Sequence, residues 1–553
     1  MHWIYTEILT LQISDMKSLL KILPLSSIIS LAAGVIAFFI PLLVLPDTIA
    51  PDLQIACGLF LIAAIYYIAQ PVPIYATSLL VMFGAVLTLT TEAPFQPGID
   101  TVQQFEYTDD DVIVLPDGMV YNDAVFTVEN GIASKVSVTV LSDVNGKVTV
   151  QLPEGREVST LASDAEYAQR RSTALMAKDI FATMASPIII LFLGGFMLAR
   201  GAVKYNLDTN LTRILLKPFG EKPSMIMMGL MAITALLSAF MSNTATTAMM
   251  MTMIIPIISK VDPKDKFKVG AALSIPVAAN IGGMATPIGT PPNAIVIAGL
   301  NQRGIDIAFS DWMMLATPVV LILLVVSWVI LRFMFKADIK QIKLSVDSIF
   351  DTSIKAIGLY LIFGLTVILW ITENQHGISS SMVAFFPVTF LSLTTILDKE
   401  DIRSLPWEVL WLVAGGIALG LVINQTGLAK FLISLIDWNL FTALLLIFSM
   451  AFLALMMSNF LSNTVTAALL VPIGISIGLN TDIAGYNFII GAIAIGLASS
   501  CAMLLPISTP PNAIAISTNL LDTRDMTKFG IVIGIVAIIV LTLASQIYWP
   551  LFF

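Results

Sequence analysis

The sequence predicts an all-α polytopic membrane protein built as an inverted repeat, with about 11 transmembrane spans, two re-entrant helical hairpins, broken helices and a small extracytoplasmic β-rich insert. Three observations predict it. Of 553 residues, 57% are hydrophobic and only 12% charged, with a mean hydropathy of +0.91. No water-soluble globule of this length could hide so much apolar surface, so the solvent is lipid. The phrase P-I-x-T-P-P-N-A-I occurs at Pro287–Ile295 and again at Pro506–Ile514, identical at eight of nine positions. Each copy follows an S-N-T phrase, at Ser242-Asn243-Thr244 and Ser462-Asn463-Thr464, so the copies lie 219 and 220 residues apart. Finally, the short loops alternate between basic and nearly uncharged.

Apolar runs long enough to cross cover 25–45, 53–69, 72–91, 183–201, 269–300, 312–335, 354–372, 380–397, 406–424, 486–520 and 529–553. Two more, 225–257 and 440–475, carry S-N-T near their middles. The first has 33 residues. As one straight helix it would reach roughly 50 Å, against a hydrocarbon core of about 30 Å. A hairpin whose arms meet at the polar tip resolves the mismatch, provided the tip lines a cavity.

Loops 202–224, 258–268, 336–353, 398–405 and 521–528 hold most of the loop Lys and Arg, whereas 46–52, 301–311, 373–379, 425–439 and 476–485 are nearly free of them. The two sets alternate if the N-terminus is cytoplasmic and neither hairpin crosses. Five crossings separate the hairpins, and an odd number inverts the second copy relative to the first. The hairpins then enter from opposite sides. Gly194-Gly195 and Gly415-Gly416 are a weaker third echo.

The division that follows is a cytoplasmic amphipathic lead-in (1–24), scaffold spans 1–3 (25–91), the insert (92–178), a first repeat (179–336), a cytoplasmic linker (337–353) and a second repeat (354–553). The insert carries 14 Asp and Glu against six Lys and Arg, so it supplies −8 of the net −9 and leaves the membrane part near neutral. Nothing in the charge pattern suggests nucleic acid. Within the insert, Asp117-Gly118, Asn130-Gly131 and Asn145-Gly146 are turn signals. The runs 135–140 and 147–152 alternate across the last of them, which predicts a hairpin. Parity places this segment outside the cytoplasm.

The four phrases offer hydroxyls, amides and freed backbone groups, with no charged side chain. Pro291-Pro292 and Pro510-Pro511 break their helices and leave the Gly289 and Ser508 carbonyls without helical partners. Carbonyl and hydroxyl oxygens are hard ligands for an alkali cation, and exposed helix N-termini suit an anion. Both together, without Arg or Lys, suit an anion bound with cations that neutralise it. Asn280 and Asn459 read as helix-packing contacts. Cys57 and Cys501 lack metal-site spacing, and no disulfide framework is indicated. An intramembrane hydrolase would need a base beside a nucleophile, yet the histidines are His2, at the terminus, and His376, in a loop.

Taken together, the paired S-N-T and T-P-P-N phrases, hairpins and broken helices resemble the divalent anion/sodium symporter family of dicarboxylate, citrate and sulfate carriers. The resemblance covers nearly the whole chain outside 92–178. It implies sodium-coupled symport of C4-dicarboxylates (the succinate, malate and fumarate class) by an elevator-type mechanism. It also implies a homodimer in the plasma (inner) membrane, with Na+ as the co-transported ion. Carried over, it assigns one sodium site to Ser238, Ser242, Asn243 and the Gly289 carbonyl, and another to Ser458, Ser462, Asn463 and the Ser508 carbonyl. Substrate contacts fall to Asn243, Thr244, Asn463 and Thr464, with Thr290, Pro291, Thr509 and Pro510 shaping the floor. A dicarboxylate exchanger, or a citrate or sulfate carrier of the same fold, is the alternative.

Overall fold

A computed structural model describes residues 24–46, 49–90, 93, six short segments between 112 and 161, 175–258, 261–262, 264–342, 351–435, 438, 441–481 and 483–553. The lead-in 1–24 lies almost wholly outside the described residues, as do the three turn dipeptides of the insert and the centre of the linker.

The principal helices are α1 (Leu25–Val44), α2 (Pro51–Ala69), α3 (Ile74–Thr88), α4 (Pro187–Lys204), α5 (Leu207–Leu216), α6 (Pro223–Phe240), α7 (Asn243–Ile258), α8 (Phe267–Gly282), α9 (Pro291–Asn301) and α10 (Phe309–Met334). Then come α11 (Ile354–Ile371), α12 (Ser380–Leu393), α13 (Trp407–Gln425), α14 (Ala443–Phe460), α15 (Asn463–Asn480), α16 (Phe488–Ser500), α17 (Pro510–Ser517) and α18 (Thr523–Leu543). Starts follow local chemistry. Proline occupies the first turn of α2, α4, α6, α9 and α17, where a missing N–H costs nothing. Ser and Thr side chains cap α11, α12, α14, α15 and α17.

Among the described residues, 11 helical segments are long and apolar enough to cross a membrane. The number matches the expectation but the membership differs. Segments α3, α12 and α16 are too short to count, while α6, α14 and α15 qualify. Both long runs are indeed broken at their S-N-T: α6 stops at Phe240 and α7 starts at Asn243, α14 stops at Phe460 and α15 starts at Asn463. Since single arms of 18 residues are long enough to span, length alone does not decide whether they do.

The insert's described segments form two antiparallel three-stranded sheets, β1 (Val112–Ile113), β2 (Ala124–Glu129) and β3 (Ile132–Ser137), then β4 (Thr139–Val144), β5 (Lys147–Gln151) and β6 (Glu157–Leu161). The strand opposite β5 is 139–144, not 135–140. The alternating run 135–140 is divided between β3, which pairs with β2, and β4.

Burial sorts the helices. The segment Phe267–Ala285 is 89% buried, whereas Leu25–Val44 and Ile354–Ile371 are 17% and 28% buried. On α11 the exposed Ile354, Ile357, Leu361, Leu365 and Ile368 recur at helical spacing, the stripe expected of a lipid-facing helix. At the centre, α6 and α8 touch backbone to backbone: a Cβ on Gly282 would lie 2.3 Å from Ala235 Cα. The Gly-Gly echo has a matching use in both copies. A Cβ on Gly194 would meet Ala384 O of α12 at 2.8 Å, and one on Gly415 would meet Ser78 Cβ of α3 at 2.3 Å.

The broken segments interlock. Within each repeat, the first hairpin arm packs on the helix before the break, α6 on α8 and α14 on α16. Each helix after the break packs on the other repeat: α9 against α15 and α16, α17 against α7 and α8. The helix after each T-P-P-N break is thereby embedded in the opposite repeat.

A charge cluster ties the end of α4 to the second half. Arg200 donates to Asp401 Oδ1 at 2.9 Å and 3.0 Å, and Lys204 donates to Asp398 Oδ2 at 3.0 Å and also to Asp401. Hydrogen bonds from the Asp401 amide and the Lys204 ammonium hold the Asp398 carboxyl down at about 2, from 3.8. A depressed folded value stabilises the fold above the unfolded pKa and ceases to do so as pH falls through the folded one. Wild-type protein is therefore expected to melt above D398N at neutral pH. The gap between their Tm values should close between about pH 4 and about pH 2, as thermal unfolding across that range would show. A gap that persists at pH 2 would remove this assignment.

Candidate functional site

Each hairpin tip is built the same way. In the first, Ser238 Oγ lies 2.5 Å from Asn243 Oδ1 and 2.9 Å from the Ala279 carbonyl. In the second, Ser458 Oγ lies 2.8 Å from Asn463 Oδ1 and 2.6 Å from the Ser499 carbonyl. Both carbonyls stand 41 residues beyond their serine. Three oxygens thus converge with one hydroxyl proton among them, since neither the amide oxygen nor the carbonyl can donate. Crowded hard oxygens of this kind are what an alkali cation satisfies, and the pair of buried serines is uncharged.

A fourth oxygen joins the first cluster. Gly283 has no Cβ, and one placed there would lie 2.5 Å from Asn243 Oδ1 and 3.0 Å from the Gly289 carbonyl. The Asn243 side chain and the Gly289 carbonyl thus flank one small space. Because Pro291 and Pro292 lack N–H groups, the next amide, that of Asn293, donates to Thr290 O instead. The loop is held from several sides. Thr286 donates to Ala239 O, Asn293 Nδ2 to Thr286 O at 2.7 Å, and Trp312 Nε1 to Met284 O at 3.1 Å.

Helices α7, α15, α9 and α17 all begin within the motifs, so each motif copy carries a helix N-terminus. The two tips thus carry matching oxygen clusters without a charged side chain, one in each repeat. No group of three or more metal-binding His, Cys, Asp or Glu occurs among the described residues.

The family described as "Sodium:sulfate symporter transmembrane region" matches residues 22–553. The chain belongs to the divalent anion/sodium symporter family. It is therefore a multi-pass membrane transporter and not an enzyme. The chain is 30% identical over 417 residues to "Sodium-dependent dicarboxylate transporter SdcS" of Staphylococcus saprophyticus, covering 68% of this chain and 79% of the relative. It is 32% identical to an uncharacterized transporter of Haemophilus influenzae, covering 67% and 83%. A solved structure, the YdaH transporter of Alcanivorax borkumensis, aligns with a TM-score of 0.48 at 11% identity, over 73% of this chain and 94% of that one.

Of the residues singled out from sequence, the fold of this family member brings Ser238, Asn243 and Gly289 together, and Ser458 with Asn463. Ser462 and Thr509 have a local task, accepting from the Val465 and Asn512 amides as N-caps. Ser508 is held by its hydroxyl on Asn459 O at 2.9 Å. The copies are not identical: Thr244 is exposed and Pro291 half-buried, whereas Thr464 is buried and Pro510 exposed, with Thr290 and Thr509 both buried.

Sequence reading missed the Ala279 and Ser499 carbonyls, because a carbonyl carries no side-chain signal. It also undervalued two asparagines. Asn459 is more than a helix contact: its Oδ1 accepts from the Leu504 amide at 2.9 Å and so anchors the second loop. Asn280 reaches the other repeat, donating to Thr509 Oγ1 at 3.1 Å and Asn512 Oδ1 at 3.3 Å. Uncharged polar residues at the depth of the motif breaks were the available signal for both.

Proposed function

We propose that this chain is a sodium-coupled symporter of C4-dicarboxylates that works by an elevator-type alternation, as a homodimer in the plasma (inner) membrane. The single observation that carries the reading is the repeated Ser–Asn–carbonyl oxygen cluster, present in both halves without a charged side chain. An unneutralised dianion would be heavily penalised in such a site, so cations must accompany it. Relatives named as sodium-dependent dicarboxylate transporters support sodium as that cation and dicarboxylates as the cargo.

On this reading the first sodium ion takes Ser238, Ser242, Asn243 and the Gly289 carbonyl, and the second takes Ser458, Ser462, Asn463 and the Ser508 carbonyl. Asn243, Thr244, Asn463 and Thr464 grip the carboxylates above a floor of Thr290, Pro291, Thr509 and Pro510. We read α6–α7 and α14–α15 as re-entrant, entering from opposite faces. The alternation of basic loops supports this, with the N-terminus cytoplasmic and 92–178 outside.

Energetics favour coupling. Moving a dianion inward against about −100 mV costs roughly 4.6 kcal/mol, at about 2.3 per charge. Two sodium ions cancel that, and each tenfold sodium gradient adds about 1.4 kcal/mol per ion. The test is uptake of labelled succinate into proteoliposomes, with sodium replaced by choline at fixed pH and with sulfate, citrate and malate as competitors. Uptake that requires sodium and is displaced best by malate supports the reading. Sodium-independent uptake that needs internal dicarboxylate would make the protein an exchanger.

A further inference from the structure

We propose that Asn280 is a positioning residue through which the first repeat presets the second cation pocket, so that the two pockets fill with unequal affinity. The inference rests on the sodium reading above and deepens it. Asn280 lies in α8 at 1% exposure, and its amide nitrogen spends both hydrogens across the repeat boundary, on Thr509 Oγ1 and Asn512 Oδ1. Those acceptors are not idle. Thr509 Oγ1 caps α17 through the Asn512 amide, and Asn512 Nδ2 donates to Leu505 O at 3.0 Å. Leu505 N in turn donates to Ser508 Oγ at 3.2 Å. A continuous run of hydrogen bonds therefore fixes loop 505–509, which carries the Ser508 carbonyl, from a residue of the other repeat.

The first loop receives only a weaker return contact, Cys501 Sγ to Met284 Sδ at 3.8 Å, and no reciprocal amide link among the described residues. The residue matching Asn280 at the 220-residue offset is Ser500, whose hydroxyl reaches only Gly496 O of its own helix, at 3.5 Å. The residue matching Asn512 is Asn293. Its Nδ2 is well used on Gly283 O and Thr286 O, but its Oδ1 is buried with no donor. Asn280 Oδ1 is likewise buried without a donor, so the two sides share that cost and differ in what holds the loop: Asn280 ties loop 505–509 to the other repeat through Thr509 and Asn512. A pocket already held in its binding geometry spends less of its ion affinity on ordering. The second pocket should therefore be the tighter of the two, and Asn280 the reason.

The experiment measures the sodium dependence of succinate uptake in proteoliposomes of the full-length protein. In parallel, detergent-solubilised protein is melted across a sodium series balanced with choline. N280S gives the second pocket the serine that the first already has. It is expected to raise the sodium concentration for half-maximal uptake roughly tenfold, equivalent to about 1.4 kcal/mol. The maximal rate at saturating sodium should stay within about twofold, the signature of lost binding rather than lost turnover. The sodium-induced rise in Tm should move to higher sodium in step. S500N, which offers Asn293 Oδ1 a donor, should shift both curves to lower sodium. Unchanged curves for N280S, or a lower maximal rate with no shift, overturn the proposal. If N280S cannot be recovered folded, unchanged curves for S500N overturn it equally. Failure of the sodium reading itself is seen separately, as sodium-independent uptake by the unmutated protein.

Discussion

Replacing Asn243 and Asn463 together with alanine is expected to abolish sodium-dependent succinate uptake while the protein stays folded. Each amide oxygen stands against its serine, at 2.5 Å and 2.8 Å, and forms part of the Ser–Asn–carbonyl oxygen cluster of its tip. A hydrogen bond or ligand contact to a charged group is worth roughly 1.5–3 kcal/mol. Losing one from each pocket should cost about 3–6 kcal/mol, or roughly 100-fold to 10,000-fold in coupled binding. Folding should tolerate the change. Both residues start a helix and are half-buried, and alanine is a good helix former. Uptake rates and Tm, measured on the same preparations, check the two halves of the claim. Robust transport by the double variant would falsify the cation-pocket assignment.

G283A should disable the first pocket alone. Its backbone sits at φ −58°, which alanine adopts freely, so any effect is steric. The new methyl would lie 2.5 Å from Asn243 Oδ1 and 2.9 Å from Asn243 Nδ2. The Asn243 side chain can swing away from that clash and the Gly289 carbonyl, at 3.0 Å, needs to give only slightly, so the fold survives, but the amide then leaves the oxygen cluster. Half-maximal sodium should rise roughly 10-fold to 100-fold, with a Tm in choline close to wild type. G289A is the contrast. Its Cβ would press on the Gly283 carbonyl oxygen at 2.3 Å, backbone against methyl, and the loop itself must distort. Loss of Tm together with transport is expected there, whereas G283A loses sodium affinity first. Equal behaviour of the two variants in melting experiments would remove the steric argument.

The helix breaks of this candidate site are readable from residues alone. Proline pairs, S-N-T phrases and a 220-residue repeat are local and periodic, and their consequences for backbone and lipid solvation do not depend on what packs nearby. Both long runs therefore break at the serine–asparagine step the sequence marks. Asn280 shows where such reading stops. Its neighbours in sequence are apolar and small, which suggests a packing contact, yet its partners lie 229 and 232 residues away. The β-strand boundary in the insert failed for a related reason: an alternating run shows face preference but does not say where one strand ends and the next begins.

Composition, duplicated motifs and basic-loop alternation by themselves determined a lipid-dissolved chain with two polar breaks in each of two copies. Those properties follow from solvation and chain stiffness, which are summed residue by residue. Only the tertiary structure decided that each broken helix lies against the opposite repeat, that two backbone carbonyls complete the oxygen clusters, and that one asparagine links the copies in a single direction. Contacts between residues hundreds of positions apart depend on how closely helices approach. A glycine or a carbonyl expresses that only once the helices have met.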